Sequence, residues 1–211
     1  MRRIPYCAFV ATLALIITSA ERAGAEIIDP SDARGIRHLP GQNPFLLDFL
    51  SINHSVEDRT VIEFALRGLS GPVGSATLDL DLRNLDPGRR GIIDVFTFAG
   101  TGTVTPGLFS AGTLFTSFAN SISGLEHVDV SAAVLAAQQA GDDFIGFRLS
   151  TMTDSRYLLG PPFTQAGPSL TVEVIPEPGT LTLLAMAPSA LPPMAGGGKC
   201  KLRLKPPARR S

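Results

Sequence analysis

Through the middle of this chain, apolar side chains recur at every second residue. The ranges 62–66, 76–82, 145–149 and 170–174 show the pattern most clearly. A period of two sends alternate side chains to opposite faces of a β-strand, so one face enters a core and the other, which includes Glu63, meets water. The side chains predicted for the core are those of Ile62, Phe64, Leu66, Ala76, Leu78, Leu80, Leu82, Ile145, Phe147, Leu149, Leu170, Val172 and Val174.

One further strand and the turns between strands complete this pattern. The range 92–98 is more continuously apolar, which predicts a strand buried on both faces. Glycine and proline clusters at 68–72, 87–88, 100–107 and 160–162 separate the strands. Several short strands with such turns favour an all-β fold, an antiparallel β-sandwich of jelly-roll type, over an α/β fold.

A single segment departs from the two-residue period. The range 132–140 is rich in alanine, follows Ser131 and stops at Gly141. Serine is a good helix N-cap and glycine a common C-terminal stop, so we expect one short helix here. Val130, Val134 and Leu135 are expected to close one end or edge of the sandwich.

The N-terminus has the layout of a secretory signal peptide. Arg2 and Arg3 precede an apolar run at 8–17, and small residues lead to Ala23 and Ala25. A basic start, a short apolar segment and an A-x-A site predict export with cleavage after Ala25. The alternative is an uncleaved N-terminal anchor, for which the apolar run is short.

The C-terminus has the layout of a sorting signal. Pro176, Glu177 and Pro178 precede an uncharged apolar stretch at 180–198. This stretch has the length of a membrane span, although prolines interrupt it. A basic tail follows, with Lys199, Lys201, Arg203, Lys205, Arg209 and Arg210. The chain is therefore divided into a signal peptide at 1–25, an exported β domain at 26–175 and a sorting region at 176–211.

Charge is distributed unevenly along the chain. The range 26–175 has nine arginines and no lysine against seventeen acidic residues, a net charge of −8. An acidic domain lacks the cationic surface that phosphate backbones need, so nucleic acid is not an expected partner. The basic tail and the basic N-terminus should both stay in the cytoplasm, which predicts a hairpin precursor across the inner membrane. Both cysteines, Cys7 and Cys200, lie outside the domain, which therefore folds without disulfides.

The C-terminal layout resembles the PEP-CTERM sorting signal of Gram-negative bacteria. In that family a Pro-Glu-Pro motif precedes a hydrophobic helix and a basic end. The resemblance implies a recognition element at Pro176, Glu177 and Pro178, a spanning segment at 181–198 and a basic stop at 199–210. It also implies processing by an exosortase, a membrane-embedded enzyme whose substrates often accompany exopolysaccharide and biofilm loci. The tail is longer and richer in lysine and proline than the family pattern.

A second resemblance concerns the folded region. The stretches 59–64, 75–78, 128–130 and 146–149 are similar to exported jelly-roll modules of DNRLRE type, which are related to carbohydrate-binding domains. The resemblance implies a fold and, as an alternative function, carbohydrate binding. The chain has no tryptophan, and Tyr157 is the one tyrosine in the range 26–175, whereas sugar-binding faces usually stack rings on aromatic side chains.

No pattern in the chain predicts catalysis, a cofactor or a metal site. The histidines, His38, His54 and His127, match no metal-binding spacing. Two aspartate pairs are expected at solvated positions, Asp79 and Asp81 on a strand and Asp142 and Asp143 in a turn, with calcium binding as the alternative. The sequence therefore favours a non-enzymatic exported surface or extracellular-matrix protein. A carbohydrate-binding module that acts on exopolysaccharide is the alternative, and a hydrolase is a third class without named residues.

Overall fold

A computed structural model describes residues 24–161, 164 and 166–175. Over these residues the chain forms twelve β-strands, one α-helix and one 3₁₀ helix. The strands are β1 Ala25–Ile28, β2 Asp32–Arg37, β3 Phe45–Leu47, β4 Leu50–Asn53, β5 Asp58–Ala65, β6 Val73–Asn84, β7 Gly91–Ala99, β8 Thr113–Asn120, β9 Gly124–Asp129, β10 Phe144–Thr151, β11 Arg156–Leu159 and β12 Ser169–Val174. Helix α1, Ser131–Ala140, lies between β9 and β10, and the 3₁₀ helix, Pro106–Ser110, lies between β7 and β8.

All strand pairs in the described region are antiparallel. Hydrogen bonding follows the order β1-β12-β6-β11-β4-β5-β10-β7-β8. Strand β2 joins β5 and β3, and β9 joins β6. The prediction of a mostly antiparallel β fold with one helix is confirmed. Within the described residues, no helix has both the length and the apolar character needed to cross a membrane.

The main core contains every side chain that the two-residue period assigned to it. Leu78 and Leu80 of β6 and Leu170 of β12 are fully buried, as are Phe64 of β5 and Phe147 of β10. The rings of Phe64 and Phe147 meet edge to face with centroids 6.0 Å apart. The neighbouring strands β12 and β6 lie apart from the neighbouring strands β5 and β10 in the hydrogen-bonded order, and the apolar faces of all four share a single cluster. Burial of these faces is the main force that holds the strands together.

Strand β7 is not buried on both faces as the sequence predicted. Ile93 and Val95 are fully buried, but the side chain of Ile92 is 48% exposed. Ile92 lies opposite Ala119 of the edge strand β8, where this face meets solvent. Farther along the same face, Phe98 is partly buried and packs against a smaller apolar cluster that includes Ile36 and Val61. The second face of β7 is therefore covered only in part.

Glu63 lies on the face of β5 that points away from the main core, but it is fully buried rather than solvated. Residues 100–112, which we call the strap, cross this face. The strap amides of Thr101 and Gly102 both donate to Glu63 Oε2, the first at 2.9 Å. The strap also contributes Val104 to a second, smaller apolar cluster. A segment distant in sequence therefore covers the face that the alternation assigned to water.

Helix α1 begins one residue earlier than predicted. Val130 occupies the N-cap position and Ser131 is the first helical residue, so the prediction of Ser131 as N-cap was wrong. The side chain of Ser131 instead accepts the Ala76 amide at 2.9 Å and donates to Asp129 Oδ1 at 2.6 Å. The predicted stop at Gly141 is confirmed, with φ at 77° in the left-handed region.

The apolar face of α1 is narrower than the sequence suggested. Val130 and Val134 are fully buried in the main core, as predicted. Leu135, which was expected to join them, is 37% exposed. Consecutive positions on a helix point about 100° apart, so contact of Val134 with the sheet turns Leu135 toward solvent.

Candidate functional site at the paired ends of the folded region

The first and last strands of the described region are neighbours in the sheet. β1 pairs with β12 in antiparallel register, with Ala25 opposite Glu173 and Ile28 opposite Leu170. Leu170 and Val172 of β12 are fully buried, whereas β1 is largely exposed. Because β12 is buried and β1 pairs with it, burial of β12 positions both the first and the last strand of the described region.

The chain is anchored to the sheet as far as Ile175. The Val174 amide donates to the Gly24 carbonyl at 3.4 Å, and the Ile175 amide donates to the Pro72 carbonyl at 2.8 Å. The next residue in the sequence, Pro176, has no amide hydrogen and cannot extend this ladder as a donor. The predicted sorting motif thus begins directly after Ile175, which is the last residue that the structure describes and is bonded to the sheet.

Two glycines of the β5–β6 connection and β6 make room for the departing chain. A Cβ at Gly71 would lie 2.9 Å from the Ile175 carbonyl oxygen, and one at Gly74 would lie 3.0 Å from Ile175 Cγ1. The register between β12 and β6 shifts between Glu173 and Val174, opposite Gly74. Larger side chains at 71 or 74 would force Ile175 away from the sheet.

Helix α1 braces the same exit. The Gln138 side chain accepts the Val73 amide and donates to the Gly71 carbonyl, each at 3.0 Å. One amide side chain thereby satisfies two backbone groups beside the departing β12. Between β6 and β12, the Ser75 hydroxyl donates to Glu173 Oε2 at 2.9 Å. The C-terminal end of the folded region is consequently held by several elements rather than by β1 alone.

The predicted signal peptidase site overlaps β1. Ala25 is the first residue of that strand. Cleavage after Ala25 would leave Glu26 at the new N-terminus and would remove the pair between Ala25 and Glu173. The pairs of Glu26, Ile27 and Ile28 with β12 would remain. The cleaved chain would therefore still begin beside the strand that leads to Pro176.

The other residues predicted for targeting lie outside the described residues. They are Ala23 of the signal peptidase site, Pro176, Glu177 and Pro178 of the sorting motif, and Lys199, Lys201, Arg203, Arg209 and Arg210 of the basic stop. The predicted spanning segment at 181–198 also falls there.

Neither a protein-family model nor a curated protein matches this chain.

The aspartates of the first predicted pair make separate contacts. Asp79 Oδ1 lies 2.6 Å from His127 Nδ1, and Asp79 Oδ2 accepts the Thr171 hydroxyl at 2.7 Å. Asp81 accepts the Ala166 amide at 3.2 Å. In the part of the chain that the structure describes, no three His, Cys, Asp or Glu side chains are grouped to hold a metal ion.

His38 and Asp143 also have structural partners. His38 Nδ1 lies 2.7 Å from Glu57 Oε2, and this hydrogen bond lowers the pKa of Glu57. Asp143 forms an ion pair with Arg67, and the hydrogen bond from Arg67 lowers the pKa of Asp143. These histidine and aspartate contacts connect strands and turns, and the structure does not bring them together at one site.

Sequence reasoning missed the pairing of the two ends. The two-residue period predicted a strand at 170–174 but none at the position of β1, and it carried no information about which strands are neighbours. The only available signal was that Pro176 follows β12 directly, since proline commonly marks a strand boundary. Arg59 and Arg148, which donate to the strap carbonyls of Phe109 and Ala111, were also missed, because arginine in a strand is usually solvated.

Proposed function

We propose that this chain is a non-enzymatic exported surface or extracellular-matrix protein of a Gram-negative bacterium. A PEP-CTERM-like signal, with Pro176, Glu177 and Pro178 as its recognition element, sorts the protein. The precursor is held in the inner membrane by its two apolar ends, and an exosortase-type enzyme processes it. The β domain then reaches the periplasm, the cell surface or the matrix.

The pairing of β1 with β12 carries this proposal. The Gly24 carbonyl and the Val174 amide are hydrogen-bonded, so both flanking segments start from the same edge of the sheet. A hairpin precursor needs both ends of a folded domain near one membrane surface. Ends at opposite poles of the domain would require one flanking segment to extend across its whole width before it entered the membrane. Paired ends remove that requirement.

We further propose that the antiparallel sheet is a β-sandwich of jelly-roll type. Support comes from the single core that side chains of β5 and β10 share with those of β6 and β12. Fold class alone does not select a function, because such sandwiches host many activities.

A second candidate function is carbohydrate binding. One specific observation favours it, a polar cavity beside the β4–β5 turn that is lined by hydrogen-bonding side chains. An affinity gel that contains the cell's own exopolysaccharide should retard the purified full-length chain under this hypothesis. Migration identical to that in a gel without polysaccharide would exclude it.

The sorting proposal is tested by Glu177→Ala in cells that carry an internal epitope between Pro87 and Gly88. Both residues are exposed in the turn after β6. We expect wild type to be shortened and released from the inner membrane, and Glu177→Ala to remain full-length in the membrane fraction. The matched control is Asp154→Ala, which removes an exposed carboxylate remote in sequence from the motif and should be processed normally. Identical size and location of wild type and Glu177→Ala would refute the proposal.

A further inference from the structure

A small cavity lies between the β4–β5 turn and the end of β10. Its volume is about 110 Å³, enough for several water molecules or a group the size of one sugar ring. The residues that line it are Asn53, His54, Glu57, Asp58, Arg59, Ser150, Thr151 and Met152. The lining therefore includes a cation, two carboxylates, an imidazole, hydroxyls and an amide beside one exposed thioether.

Arg59 is held in a fixed orientation at this cavity. Its Nη1 donates to the Phe109 carbonyl of the strap at 2.6 Å. Its guanidinium also lies 3.8 Å from the centroid of the Phe109 ring. Stacking on a ring and bonding to a carbonyl position the guanidinium without neutralising its charge. The two contacts use one of several N–H donors, and the others are available to a ligand.

A second arginine adds to the positive charge. Arg148 lies on the adjacent strand β10, opposite Val61, and is 4% exposed. Its Nε donates to the Ala111 carbonyl at 2.7 Å, and its guanidinium lies 3.7 Å from the Phe96 ring centroid. Burial first and then the charge of Arg59 lower the pKa of Arg148 to about 10, with an opposing effect from Asp94.

The nearby carboxylates are already engaged elsewhere. Asp58 receives two hydrogen bonds from Arg37, at 2.6 and 2.8 Å, and a third from Ser51. Glu57 is hydrogen-bonded to His38. The ion pairs of the described residues include neither Arg59 nor Arg148. Glu57 and Asp94 offset part of the charge of Arg59 and Arg148 at longer range. Neither guanidinium is held in an ion pair, although the domain as a whole has a net charge of −8.

The backbone at the cavity is also unusual. Glu57 has a φ of 48°, and it is the one non-glycine residue with positive φ in the described chain. Such a conformation costs of order 1 kcal/mol or more and is enriched at ligand sites. At Glu57 it turns the chain between β4 and β5 beside Arg59.

We propose that this cavity binds one residue of a carboxylate-bearing sugar, such as a uronic acid in an acidic polysaccharide. Arg59 donates to the sugar carboxylate, and the charge of Arg148 strengthens the local positive potential. Ser150, Thr151 and Glu57 exchange hydrogen bonds with hydroxyls, and Met152 packs on the ring at the rim. This assignment rests on the carbohydrate-binding hypothesis above and gives it a site and a ligand class.

The test is isothermal titration calorimetry of the purified full-length chain with trigalacturonate and with the neutral trisaccharide maltotriose. Wild type should bind trigalacturonate and should bind maltotriose at least about tenfold more weakly. Arg59→Gln removes the charge and should weaken trigalacturonate binding about tenfold or more. Met152→Glu should weaken it similarly by repulsion, and because Met152 is 71% exposed this change leaves the fold intact.

Matched controls are Arg83→Gln and Leu125→Glu, which make the same changes at exposed positions of β6 and β9. Both should bind within about twofold of wild type, and circular dichroism verifies that each variant is folded. Wild-type affinity in both Arg59→Gln and Met152→Glu would overturn this site while leaving carbohydrate binding in place. Equal affinity for the two trisaccharides would overturn the carboxylate assignment. Absence of binding to either trisaccharide would overturn this site, whereas carbohydrate binding is decided by the exopolysaccharide gel and sorting is decided by fractionation.

Discussion

Removal of the Asp58 carboxylate should destabilise the folded region strongly. The side chain of Asp58 is 1% exposed and accepts a bidentate pair of hydrogen bonds from Arg37. It also accepts the Ser51 hydroxyl at 2.9 Å. This contact set joins β2, β4 and the start of β5, so one carboxylate fixes three strands. Asp58→Ala would leave the guanidinium of Arg37 and the hydroxyl of Ser51 without their acceptor.

The expected loss is about 3 kcal/mol of unfolding free energy. Removal of one partner from a buried ion pair costs about 3 to 5 kcal/mol. Arg37 is 29% exposed and can regain part of its hydration, which puts the value at the lower end of that range. In a domain of this size the melting temperature should fall by roughly 6 to 12 °C. With a urea m-value of about 2 kcal/mol/M, the unfolding midpoint should fall by about 1.5 M.

Urea titration followed by far-ultraviolet circular dichroism measures this change. Asp154→Ala is the matched control, because Asp154 is exposed and its removal should change stability by less than about 0.5 kcal/mol. The double variant Arg37→Met/Asp58→Ala should recover part of the loss, since no buried cation is left unpaired. A loss below about 1 kcal/mol in Asp58→Ala would refute the reasoning that this pair organises the three strands.

Two further outcomes test the strap and the surface charges. Glu63→Ala should cost about 1 to 3 kcal/mol, because two partly buried strap amides lose their acceptor, and hydrogen exchange at Thr101 and Gly102 should accelerate; unchanged exchange would contradict it. The hydrogen bond from Arg156 lowers the pKa of Asp86. This hydrogen bond therefore stabilises the folded state above the unfolded pKa of the carboxyl, near 3.9, and the stabilisation is lost as pH falls through the folded pKa. Urea midpoints measured between about pH 5 and pH 2 should therefore fall less steeply in Asp86→Asn than in wild type, and equal slopes would oppose this assignment.

The strand content could be predicted because alternation is a local property. Leu78, Leu80 and Leu82 share a face of β6 whatever lies beside them, and burial of one face follows from their apolar character. Gly141 could be predicted as the helix stop for a similar reason, since a left-handed residue there depends on the absence of a Cβ.

The opposite face of β5 could not be predicted in this way. Alternation placed Glu63 away from the main core, and its side chain does point away from it. Whether that face meets water depends on the strap, and the bond from Thr101 to Glu63 joins residues 38 positions apart. The sequence pattern states which side chains share a face, but it does not state what covers them.

The sequence by itself determined the strand periodicity, the acidic charge of the central region and the predicted targeting layout at each end. Only the tertiary structure decided that β1 lies against β12, that the strap buries Glu63 and that Arg59 is oriented by Phe109 beside a cavity. The physical reason is the range of the interactions. Periodicity and terminal signals arise from neighbours along the chain, whereas strand order and coverage arise from non-local burial that brings distant segments into contact.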